Sequence, residues 1–148
     1  MRAVALVGAT LLASGCAVFS PVQTDEAYIP GDGVPLSTKD LEIRNLALVS
    51  SKAGGDAVVV GQAVNSGSSP VDVQFAVSGG GAGATFTVPP TTSKTISDAA
   101  TKVSVPAVAA GPGQVAELVV TTSGSGQNIV TVPVLLASGH YASLAATP

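Results

Sequence analysis

Nucleophilic, proton-shuttling and soft-metal chemistry have little to draw on in this chain, because Cys16, His140 and Met1 are its single cysteine, histidine and methionine. A Ser-His-Asp hydrolase needs an imidazole held between a hydroxyl and a carboxylate, and only His140, behind Gly139 near the C-terminus, is available. No Gly-x-Ser-x-Gly elbow accompanies it, since Ser123-Gly124-Ser125-Gly126 reads as a turn. Paired-carboxylate catalysis needs two acids focused on one cleft. The nine acids are scattered instead, and the densest group, Asp25, Glu26 and Asp32, falls in a Pro/Gly-rich stretch where solvation explains it. Copper or zinc would need several Cys, His or Met side chains. His140 is the one candidate ligand in the mature chain, and a lone imidazole reads as an exposed tail residue. The run Gly79-Gly80-Gly81-Ala82-Gly83 lacks the following lysine and helix start of a phosphate cradle, and Pro89-Pro90 arrives soon after it. The expectation is a protein that is not an enzyme, with no catalytic residue, no metal and no cofactor.

The elements that carry these residues follow from composition. In 148 residues there are 17 Gly and 10 Pro but only 10% charged residues, which disfavours helices with a charged face. Abundant Val and Thr between Gly-rich turns favour short strands. With 46% apolar residues and a mean hydropathy of +0.51 the chain can bury a core, built mainly from aliphatic side chains because aromatics make up only 3%. A formal charge of −3 and six basic residues in total give no stripe for phosphate binding, so nucleic acid is excluded as a partner.

The N-terminus is the most informative segment. Met1-Arg2 precede the uncharged apolar run Ala3–Ala13, and its 11 residues are too few for the ~20 needed to cross a bilayer as a helix. Residues 1–15 therefore read as a signal peptide. Leu12-Ala13-Ser14-Gly15-Cys16 resembles a bacterial lipobox, with Ala13 where leucine is usual. The resemblance implies lipidation of Cys16 and a mature chain of residues 16–148, anchored on the extracytoplasmic face of a cell membrane. The anchor would be the lipid, because the mature chain keeps five basic residues against nine acidic ones and has no charge attraction for anionic lipid. Residues 16–37 contain Pro21, Pro30, Pro35, Gly31 and Gly33 and show neither strand nor helix period, as expected of a tether.

Residues 38–137 show strand-like runs between turn clusters. Leu41 and Ile43 alternate, and Leu46 and Leu48 alternate out of phase with them, so a bulge near Arg44-Asn45 is expected to put all four on one face. Ala57–Val64 is apolar on both faces, as in a central strand covered on two sides. Val71, Val73, Phe75 and Val77 alternate with Asp72, Gln74 and Ala76, and this run is expected to form a hairpin with the preceding strand through Ser68-Ser69-Pro70. Thr85–Val88, a short strand near Val103–Val105, and the runs Val115–Thr121 and Ile129–Leu136 complete the set, the last two as a hairpin. The fold class is all-β, an immunoglobulin-like or cupredoxin-like sandwich of about seven strands. Residues 138–148 read as a C-terminal tail.

A lipobox cysteine, a Pro-rich tether, an opening Leu41-Glu42-Ile43-Arg44-Asn45, a strand running into Ala63-Val64-Asn65 and a closing Thr131-Val132-Pro133-Val134 together resemble small actinobacterial cell-envelope lipoproteins of the LpqE type. These are distantly similar in fold to periplasmic copper chaperones. The resemblance implies an accessory or binding subunit of a membrane complex, such as the cytochrome bcc–aa3 respiratory supercomplex. It also implies copper delivery as an alternative, but the copper chaperones use a set of Met and His ligands for which this sequence has no counterpart. A cell-wall or small-ligand binding module is a further alternative, disfavoured by the scarcity of aromatic stacking platforms.

Overall fold

The computed structural model describes residues 31–81 and 83–145. They form nine strands: β1 (Val34–Ser37), β2 (Glu42–Ser50), β3 (Gly55–Asn65), β4 (Val71–Val77), β5 (Thr85–Val88), β6 (Thr92–Thr95), β7 (Ser104–Val108), β8 (Val115–Thr122) and β9 (Gly126–Leu136). A 3₁₀ helix, Gly139–Leu144, follows. The all-β sandwich expected from composition is therefore present, with two more strands than the count of about seven. The additional ones are four residues each, β1 with Pro35 in it and β6 with the wholly polar sequence Thr-Ser-Lys-Thr.

Two sheets face each other. In the first, β2 and β3 are antiparallel, with β1 alongside the start of β2 and β6 and β7 sharing the far edge of β3. In the second, the order is β5-β4-β8-β9. Strand β9 belongs to both: it pairs antiparallel with β8 over residues 126–133 and then parallel with β2 at Leu48, Val49 and Ser50. One side of the sandwich is thus closed. The opposite seam is bridged by Lys94, whose Nζ donates to the Thr87 carbonyl at 3.0 Å and lies 4.5 Å from the centre of the Phe86 ring.

The expected bulge is where the out-of-phase leucines require it. The β2–β3 register shifts between Arg44 and Ala47, with Asn45 at φ 54°, and Leu41, Ile43, Leu46 and Leu48 all enter the core. Gly61 faces this bulge from β3 at φ 152°, and a Cβ there would lie 3.1 Å from the Arg44 carbonyl oxygen. The Asn45 side chain is used as well, its Oδ1 accepting from the Gly33 amide at 2.6 Å and holding the chain entry into β1. The last residues of the stretch read as tether are therefore part of the sheet, as β1.

The expected hairpin between the third and fourth strands is not formed. Both edges of β3 are occupied, by β2 on one side and β6 and β7 on the other, and β4 lies in the opposite sheet. The connection through Ser66–Pro70 is a crossover, fixed by Asn65, which is 1% exposed. Its Oδ1 accepts from Gly67 N at 2.9 Å, and its Nδ2 lies 2.8–3.2 Å from the carbonyls of Ser69, Val88 and Pro89. One side chain thus takes over the hydrogen bonds that a hairpin turn would have made.

The two-sided apolar character of β3 has two separate explanations. Ala57, Val59 and Ala63 face the main core between the sheets, together with Phe75, Leu118, Val120 and Val134. Val58 and Val60 point outward with Ala47 and Val49 of β2. Leu135, Ala137, Tyr141 and Leu144 cover them, so the residues read as a C-terminal tail form the lid of a second, smaller cluster.

Candidate functional site

The sequence-derived candidates are not brought together. Cys16 lies outside the described residues. His140 is exposed on the 3₁₀ helix, its ring edge-on to Tyr141 with centres 5.2 Å apart; the Tyr141 hydroxyl donates to Asp32, and among the described residues no hydrogen bond joins the imidazole to a hydroxyl or a carboxylate. Among the described residues, no group of three or more His, Cys, Asp or Glu side chains is placed to hold a metal ion.

An open cleft of about 510 Å³ lies at one end of the sandwich, between the β1–β2 turn and the β3–β4 crossover. Lys39, Asp40 and Glu42 line it together with the hydroxyls of Thr38, Ser66 and Ser68. Its central acid is fully engaged. Asp40 Oδ1 accepts from Thr38 Oγ1 at 3.0 Å, Thr122 Oγ1 at 3.0 Å and Ser125 Oγ at 2.8 Å, and Oδ2 accepts from Gly124 N at 3.1 Å. Burial pushes this carboxyl upward, and the hydrogen bonds from Ser125, Thr122 and Thr38 outweigh it, leaving the group below its ordinary range. An acid stabilised as an anion by four donors is a poor proton donor, and its carboxylate is committed chiefly to holding the chain together. Asp40 is a clasp between the β1–β2 turn of one sheet and the β8–β9 hairpin of the other.

The remaining acid on this rim is held too. Glu42 Oε1 accepts from Arg44 Nε at 2.8 Å in an exposed pair, which lowers the Glu42 carboxyl and raises the Arg44 guanidinium. The cleft therefore presents hydroxyls, one lysine and an engaged carboxylate, without an acid–base couple or an aromatic platform. Sequence reasoning missed the Asp40 clasp because its partners come from positions 38, 122 and 125. The signal lay in the hydroxyl-rich Thr122-Ser123-Gly124-Ser125 turn, which needs an acceptor somewhere.

No protein-family model and no curated protein matches the chain. Solved structures do. The apo PCuAC domain from PmoF1 superposes with a TM-score of 0.58 at 14% identity, over 68% of this chain and 98% of that domain. The copper-bound PCuAC domain from PmoF2 gives 0.55 at 17% identity, over 70% and 98%. The apo PmoF2 domain gives 0.54 at 15%, over 72% and 98%. The all-β fold is similar to that of these PCuAC domains. At these identities the similarity is one of architecture, and the donor atoms decide whether copper chemistry comes with it. One exposed imidazole, with Cys16 and Met1 outside the described residues and no acidic cluster near it, does not fit a copper site.

Proposed function

We propose that this chain is a copper-chaperone-like domain that has lost the ligands for copper and works by binding a partner on the outer side of a membrane. The observation that carries the reading is the pairing of a likeness to PCuAC domains over nearly their whole length with the exposed His140 as the one imidazole, thiol or thioether among the described residues. The non-enzymatic role is part of this proposal; the two acids of the cleft, Asp40 and Glu42, are engaged by donors of the chain itself. Lipid on Cys16 would confine the domain to two dimensions, where modest affinity for a neighbouring protein suffices. An accessory role in an envelope complex, in the manner of LpqE-type lipoproteins and the bcc–aa3 supercomplex, follows from this reading.

The deciding experiment is a Cu(I) competition titration of the full chain against a chromophoric chelator. No stoichiometric removal of Cu(I) is expected, and His140→Ala should change nothing. Tight one-to-one binding abolished by that substitution would restore metal delivery. Cys16→Ala should release the folded domain from membranes. Retention of that variant would show that something other than lipid holds it.

A further inference from the structure

The outer face of the β5-β4-β8-β9 sheet has a chemical pattern that the fold does not use. Along β8 the odd-numbered residues point away from the core, and β9 sets Pro133 opposite Val115, Thr131 opposite Glu117, and Ile129 opposite Val119. Strand β4 adds Ala76 beside Val119. The result is an apolar row on each side of a Glu117–Thr131 row. Val115 is 63% and Ile129 67% exposed, and with Leu136, also on β9, they are the large exposed apolar side chains among the described residues. Exposure of this kind, clustered on neighbouring strands, marks a contact surface more than scattered apolar residues do.

The charges on this face have one sign. Strands β4, β5, β8 and β9 contain no lysine or arginine. Asp72 is engaged by Thr87 Oγ1 at 2.6 Å, whereas Glu117 is exposed and no cation of the described chain pairs with it. A carboxylate between two apolar rows is the complement of a long cationic side chain, whose methylene stem lies on apolar surface while its head reaches the charge.

We infer that this face docks a partner protein presenting a lysine or arginine among apolar side chains, the cation against Glu117 and the apolar surround on Val115, Val119 and Ile129. The inference deepens the proposed binding role and rests on it. A second copy of the chain meeting this face with its own is a poor occupant, because it would bring an acidic face without cations against Glu117. Four strands about 4.8 Å apart, of 4, 7, 8 and 11 residues at about 3.3 Å each, give a face of roughly 500 Å². That is below the ~800 Å² per partner of a standard stable interface, and it suits weak docking assisted by a membrane anchor.

The test is photo-crosslinking in native membranes, with benzoylphenylalanine replacing Ile129 on this face or Ser93 on the opposite sheet, and sequencing of the crosslinked peptides. The Ile129 probe should join a different protein at a peptide carrying Lys or Arg among apolar residues. Glu117→Lys should cut that adduct about tenfold or more, and the isosteric Glu117→Gln about threefold, with melting temperature unchanged. The proposal fails if the Ile129 probe forms no adduct, or joins a second copy or residues 16–30 of its own chain. It also fails if the adduct is indifferent to both Glu117 substitutions. Adducts from Ser93 alone would leave the binding role standing and remove this face from it.

Discussion

The two outer faces of the sandwich carry similar aliphatic residues and have opposite fates. On β2 and β3, Ala47, Val49, Val58 and Val60 are buried beneath Tyr141 and Leu144. On β8 and β9, Val115 and Ile129 stand in solvent. The first face is stabilised from within the chain, by the C-terminal residues turning back at Gly139 with φ 54°. The second has kept its apolar rows without any described residue covering them. Apolar outward positions on a strand therefore announce a cover, and the structure tells which cover the molecule supplies itself.

The largest effect should come from stripping the covered face. Deleting residues 138–148 removes the Tyr141 and Leu144 contacts and uncovers four valine and alanine side chains. The expected loss is about 3 kcal/mol in urea unfolding, with a gain in dye binding to apolar surface. Unchanged stability would mean that the lid contributes nothing and that the two faces are equivalent.

Next in size is the clasp that keeps both sheets in one body. Asp40→Ala removes the acceptor of four donors and should cost about 2 kcal/mol. The native carboxyl ionises below its ordinary value near 3.8, so its contribution is complete above that pH. It fades as pH falls through the lower native value. Acid titration of Asp40→Asn should show a flatter low-pH limb than the parent, and equal limbs would rule out the clasp as an acid-sensitive element.

The lid is also sensitive at the other extreme of pH. Tyr141 is raised above its ordinary value of 10.0, first by burial and then by the hydrogen bond its Oη donates to Asp32 Oδ2 at 3.0 Å. A raised phenol favours the folded state below the ordinary value, and that advantage is lost as pH climbs through the native one. Tyr141→Phe should cost about 1 kcal/mol at neutral pH and remove part of the alkaline decline, as followed by thermal unfolding. The smallest effect should be on the bare face, where Ile129→Ser should shift stability by no more than about 0.5 kcal/mol. A large loss there would reveal packing against residues outside those described.

The sequence makes the core strands readable because their periodicity is strong. The phase break between Ile43 and Leu46 gave the bulge, and the alternation of Val71 to Val77 gave one buried face of β4. It misled over the partner of β4, since alternation reports which side is buried and not which strand lies alongside. Asn65 decided that matter through the nearby Ser69 carbonyl and the distant carbonyls of Val88 and Pro89. The C-terminal lid was hidden for a similar reason: Tyr141 and Leu144 are two apolar residues in a polar, Gly-containing segment, too few to show a period. The Asp40 clasp depends on residues more than 80 positions apart, and only the fold brings them together.

The dual membership of β9 has a consequence for the order in which the molecule can be built. Leu48 finds its parallel neighbour only at Val134, near the end of the chain. A ribosome must release the chain from β2 through Leu136 before the second half of β2, which β3 flanks on one edge, is flanked on the other. Until then the Val49 and Val58 cluster also lacks its lid. Closure of the sandwich and capping of its outer face thus become late events of synthesis, imposed by a single strand that serves two sheets.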